Sequence, residues 1–240
     1  MSDDKDSAFF TDGIHEDILT NLSNLRNLRV VSRTTVMQYR DSKKSLRQIG
    51  EELGVAYILE GSVRRAGKTV RVTGQLINAR TDEHVWAKLY DRDLTDVFAI
   101  QSELAQAIAT ALQAAISPEE KSLIEQRPTD NIAAYELVLK SREWSNVPSA
   151  GRSELEESRR LLQRAIQLDP NYAIAYADLA HSYVFARFTT YPTAADLKNS
   201  KDAIDTATRL APGAPDVVRA LGDYFYYVYS DFEHALEKYE

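Results

Sequence analysis

The sequence predicts two parts: a small α/β domain over residues 1–118 and an all-α array of helical hairpins over residues 131–240, joined by a linker at 119–130. Three observations predict this. Period-two hydropathy clusters between residues 55 and 90, and apolar stripes at helical spacing flank it. Beyond residue 130, small and aromatic residues recur in helix-period blocks closed by prolines.

In the first part, Phe10, Ile14, Ile18, Leu22 and Leu25 recur at helical spacing. Asp12, Glu16 and Asp17 fall in what that stripe reads as the first turns, where carboxylates suit the positive end of the helix dipole. Leu28-Arg-Val-Val31 predicts a short strand. Ser45-Leu-Arg-Gln48 has the form of a capping box, and Leu46, Ile49 and Leu53 make an apolar stripe that Gly54 ends.

Strands follow. Val55-Ala-Tyr-Ile-Leu59 is continuously apolar. Residues 69–77 alternate, with Val70, Val72 and Leu76 against Arg71, Thr73 and Gln75; residues 84–90 alternate Val85, Ala87 and Leu89 against Trp86 and Lys88. Ala66-Gly67-Lys68 and Ala79-Arg-Thr-Asp82 supply the turns of an antiparallel meander, and the sheet as a whole is expected to be mixed. Val97, Ile100, Leu104, Ile108, Ala111 and Ala115 share one face of a long helix that Ser117-Pro118 should stop.

The runs Phe10-Thr-Asp-Gly13, Leu53-Gly-Val-Ala-Tyr-Ile-Leu-Glu-Gly-Ser-Val-Arg64, Val72-Thr-Gly-Gln-Leu-Ile-Asn78 and Val85-Trp-Ala-Lys-Leu-Tyr-Asp91 resemble the TolB amino-terminal-like (FlgO-like) domain. The resemblance implies an α/β fold without a known catalytic role, often joined in bacteria to tetratricopeptide repeats and to cyclase or winged-helix output domains. It also implies a buried first strand ending in Pro-Phe, which is not found before Met1. An open sheet edge is therefore expected, suited to pairing with a second copy of the chain.

In the second part, Tyr176, Leu179, Ala180 and Tyr183, then Ile204, Ala207 and Pro212, follow the pattern of a tetratricopeptide unit. Val218, Leu221, Gly222 and Phe225, then Ala235 and Tyr239, begin another. A looser unit precedes them: Tyr135, Val138 and Leu139, then Ser158, Leu162, Ala165 and Pro170. Small residues let paired helices approach, aromatics fill the gap to the next pair, and no hairpin buries its apolar face alone. The spacing implies extensions around residues 145–151 and 187–192. Two complete hairpins and a third that stops short are expected, within a longer parent protein.

The composition, 44% hydrophobic and 27% charged, supports folded cores. A net charge of -7 disfavours nucleic acid as a principal partner, because such binding neutralises phosphates. Without cysteine there is no disulfide or thiolate site. No apolar run is long enough to span a bilayer, and the polar, acidic first residues are unlike a signal peptide. Cytoplasm and periplasm both remain open.

His15, His84, His181 and His234 show no ligand spacing, so neither metal nor cofactor is expected. Glu16-Asp17 and Thr81-Asp-Glu83 read as helix-end and turn carboxylates rather than an acid/base pair, and Asp12-Gly13 is only a weak anion signal at a helix start. Arg64, Arg65, Lys68 and Arg71 gather positive charge on one hairpin, a possible basic patch for an acidic partner or a membrane surface.

Residue-by-residue offsets of the resemblance place Glu136, Lys140 and Trp144, then Ala177, His181 and Phe185, then Arg219, Asp223, Tyr226 and Tyr227 on a groove. Charges interleaved with aromatics suit a protein or peptide partner. The expected function is therefore non-enzymatic protein–protein recognition in a bacterial regulatory or envelope-associated protein. The alternative is a small-ligand sensor signalling to an output domain.

Overall fold

The computed structural model describes residues 3–40, 42–145, 151–185 and 192–239. They form two compact units, Met1–Arg127 and Pro128–Glu240.

The first unit opens with α1 (Asp3–Ser23), whose stripe of Phe10, Ile14, Ile18 and Leu22 is buried. The helix starts earlier than its apolar stripe suggests, so Asp12, Glu16 and Asp17 lie in its middle rather than at its positive end. Asp3, Asp4 and Asp6 take the first turns.

The short α2 (Arg33–Met37) follows, its amide at Thr35 capped by Ser32. Helix α3 (Leu46–Leu53) has the capping box of Ser45 and Gln48 and ends on Gly54 at φ 64°. Residues 28–31 are not a strand. Among the described residues no strand lies alongside to take up their backbone hydrogen bonds, and a lone extended segment gains nothing from strand propensity.

β1 (Tyr57–Ala66), β2 (Thr69–Asn78) and β3 (Glu83–Asp93) form a three-stranded sheet in the order β1-β2-β3. Both pairings are antiparallel, so among the described residues the sheet is not mixed. Gly67 (φ 61°) and Asp82 (φ 60°) supply the left-handed turn positions. Val70, Val72 and Leu76 are buried, whereas Val85 and Leu89 of β3 are 43% and 56% exposed. Tyr90 supplies the buried ring of β3: the inward face is the one that reads as more polar in sequence.

The helices covering that face are α1, against β1, and α4 (Val97–Ala111), against β2 and β3. Helix α4 ends before Ala115 because Gln113 turns into the left-handed region (φ 55°) and the Ala114 amide donates to the Ala109 carbonyl. This is a Schellman closure without its usual glycine. The expected linker contains a further helix, α5 (Pro118–Glu125), started by Ser117 and Glu120 in a capping box with proline at its first position. Ser102 of α4 donates to the Ile124 carbonyl (2.6 Å) and fixes α5 to the unit.

In the second unit, α6 (Ile132–Ser145) packs on α7 (Arg152–Leu168), α8 (Ala173–Phe185) on α9 (Ala194–Leu210), and α10 (Pro215–Tyr224) on α11 (Phe232–Tyr239). Each pair touches the next, with α8 meeting α6, α7 and α10. Their shared core includes Val138, Leu162, Ala165, Leu179, Ala180, Tyr183, Ile204, Ala207, Val217 and Tyr224. Full burial of each large aliphatic side chain contributes about 1.5–3 kcal/mol.

Small residues set the helix spacing. The Ala180 carbonyl accepts from the buried Ser200 hydroxyl (3.0 Å), and a Cβ on Gly222 would lie 2.8 Å from the Tyr239 ring. Between α10 and α11 the chain makes a π-helical turn, Phe225–Tyr229, closed by Ser230 at φ 54°. The extensions expected around 145–151 and 187–192 fall largely outside the described residues.

Candidate functional site

Helix α8 carries Asp178, His181 and Phe185 at i, i+3 and i+7, and α10 carries Asp216, Arg219 and Asp223 at the same intervals, so each set forms one stripe. Where α8 meets α10 the stripes interlock. Asp223 Oδ2 lies 3.0 Å from His181 Nδ1 and accepts from Arg219 (3.0 Å), while Asp223 Oδ1 accepts from the Tyr239 hydroxyl of α11 (2.6 Å).

Asp178 accepts from Arg142 of α6 (2.8 Å) and lies 3.5 Å from Arg219; Arg142 also donates to Asp216 (3.2 Å). Charges thus alternate across three helix pairs. Burial pushes the Asp223 carboxyl up, but the bonds from His181 and Tyr239 and the Arg219 charge outweigh it and hold the group below its ordinary value. Burial and donation to Asp223 push the Tyr239 phenol the other way, upward.

An aromatic cluster adjoins this network. The His181 and Phe185 rings stack at 5.0 Å, and the Tyr227 ring meets both edge-on. Tyr226 lies edge-on to Tyr227 (5.0 Å) and to Phe232 (5.3 Å) and is 42% exposed. The π-helical turn separates these rings from a second set. Tyr224, Phe225 and Tyr229 contact one another, and Phe225 stacks on His234 of α11. Tyr224, Phe225 and Tyr229 seal their own hairpin, Tyr227 faces α8, and Tyr226 packs between Tyr227 and Phe232 of α11.

Of the residues placed on the groove by sequence, His181, Phe185, Arg219, Asp223, Tyr226 and Tyr227 come together. Ala177 does not contribute: it is fully buried in the core, where its small side chain admits close packing. On α6, Glu136 and Lys140 are partly buried and Trp144 is 38% exposed, and Arg142 of this helix reaches the network. Arg142, Asp178, Asp216 and Tyr239 were missed in the sequence. The charged stripes at i, i+3 and i+7 on α8 and α10 were the available signal.

The basic hairpin of the first unit does not form one patch. Arg64 and Arg71 are directly opposed on β1 and β2, whereas Arg65, on the other face, lies over the Phe10 ring at 5.7 Å. Arg71 is paired with Asp91 and Lys68 sits exposed at the turn. Asp12, set inside α1 rather than at a helix start, offers no amide site for an anion and instead pairs with Arg33 (3.1 Å) and accepts from Arg40. Beside them, burial and the Arg33 charge hold the His15 imidazole below its ordinary value.

Among the described residues there is no cluster of three or more His, Cys, Asp or Glu able to hold a metal, and no helix long and apolar enough to cross a membrane.

Comparison with known proteins finds a likeness to a regulator domain in the first unit. The family described as HilA/YgeH-like transcriptional regulator, second domain, matches residues 2–111. A relative is the protein named "Putative adenylate cyclase 3" of Rhizobium meliloti (strain 1021), 39% identical over 180 residues. That alignment covers 75% of this chain and 30% of the relative, so the chain spans about a third of the relative's length. These likenesses are compatible with a regulatory or signalling role.

Proposed function

We propose that the chain is a protein-recognition module of a bacterial regulatory protein. Its second unit is a tetratricopeptide-type array that takes a peptide or partner protein on the face formed by α6, α8 and α10. The first unit, TolB-amino-terminal-like, docks or relays. The observation that carries this reading is the aromatic cluster of Phe185, Tyr226 and Tyr227 beside the Arg219–Asp223–His181 network, built from successive helix pairs. Partly exposed rings supply anchor area at low entropic cost, and the ordered polar groups beside them fix orientation.

On this reading the chain itself performs no catalysis. The cyclase named among its relatives and the transcriptional regulator whose domain it matches would share a regulatory segment rather than a chemistry. A nucleotide-turnover assay with ATP and GTP should read no product; cyclic nucleotide formation would refute the non-catalytic reading. The recognition reading is tested by binding of the partner to the intact chain and to a Phe185→Ala/Tyr226→Ala variant. Loss in the variant supports the face as the site, and undiminished binding refutes it.

A further inference from the structure

Resting on the peptide-binding reading of the α6–α8–α10 face, we propose that the partner segment is basic. An arginine or lysine side chain would lie on the exposed ring of Tyr226, which meets the network through Tyr227 and His181. The argument is one of charge balance. Asp178, Asp216 and Asp223 are 11%, 25% and 13% exposed, and their partners are Arg142, Arg219, His181 and the Tyr239 hydroxyl. Three carboxylates therefore share two guanidiniums and an imidazole where water is largely excluded, so the carboxylates outnumber the guanidiniums by one. A charge in such surroundings attracts a counter-charge more strongly than it would in bulk water.

Both guanidiniums are already engaged, so an acidic peptide would find no unshared cation in the network. The wider field has the same sign. Residues 128–240 hold 17 Asp and Glu against 12 Lys and Arg, a formal net charge of -5. The tyrosine ring supplies a face on which a guanidinium or ammonium stacks favourably.

The test is selection from a randomised peptide display library on the immobilised chain, with counter-selection on Tyr226→Ala, then fluorescence anisotropy of synthetic copies of the enriched peptides. Both Tyr226→Ala and Asp216→Asn alter partly exposed side chains, and thermal melts verify that each variant is folded. The expected result is enrichment of net-positive peptides. Their affinity falls about tenfold between roughly 0.05 M and roughly 0.5 M salt, and falls at least about fivefold in either variant.

Enriched peptides that are neutral or acidic, yet lose binding in Tyr226→Ala, overturn the charge assignment and leave the peptide-binding face standing. No enrichment at all, or binding indifferent to both variants, overturns both.

Discussion

His181 on α8 and Asp223 on α10 face each other across the boundary between two helix pairs, imidazole Nδ1 to carboxylate Oδ2 at 3.0 Å. The contact joins residues 42 positions apart and is braced from α11 by Tyr239. It belongs to the packing of the array and to its candidate surface at once.

Asp223→Ala removes the common acceptor of His181, Arg219 and Tyr239. Arg219 keeps Asp178, but the half-buried His181 loses its carboxylate partner, so the variant should lose about 1–3 kcal/mol. Urea titration followed by circular dichroism checks this. Asp223→Asn keeps one accepting oxygen and should lose less.

The approach of α3 to the end of β2 leaves no room for a side chain at Gly50, where a Cβ would lie 2.6 Å from Ala79 Cβ and 3.1 Å from the Val55 carbonyl. Gly50→Val should destabilise the first unit by about 1–3 kcal/mol. The melting midpoint of that unit should drop in a thermal scan of the variant.

The folded state holds the His15 imidazole below its ordinary value of 6.5, so the unfolded chain binds the proton more readily. His15 therefore favours the folded state fully only above the unfolded value. Its contribution fades as pH falls through 6.5 toward the lower folded value. Stability of the first unit measured between roughly pH 8 and roughly pH 5 should decline on the acidic side, and His15→Gln should flatten that part of the profile.

Ser117→Ala breaks the capping box that starts α5 and should cost about 1 kcal/mol. Amide exchange should quicken in residues 118–125 ahead of the rest of the unit, because only the start of that helix loses its cap.

The meander and the helix pairs were legible because short-range chemistry determines them: alternation in 69–77, left-handed turns at Gly67 and Asp82, small residues at Ala180, Ala207 and Gly222. Residues 28–31 misled because strand propensity is not a strand without a neighbour. The true end of α4 was hidden by Gln113 standing where a glycine usually does, and the start of α5 by reading Ser117-Pro118 only as a stop. The Arg142–Asp178 and Arg142–Asp216 contacts span 36 and 74 residues and depend on how helices pack, which consensus offsets within one repeat do not encode. The π-helical turn divides an aromatic run that reads as uniform in sequence.

The most direct test is the dissociation constant of a peptide selected on the wild-type chain, compared with that for Phe185→Ala/Tyr226→Ala. Removal of two aromatic anchors should weaken binding by about 100-fold or more, with the helical circular dichroism signal retained. Equal affinities for the two proteins would contradict the assignment of the α6–α8–α10 face.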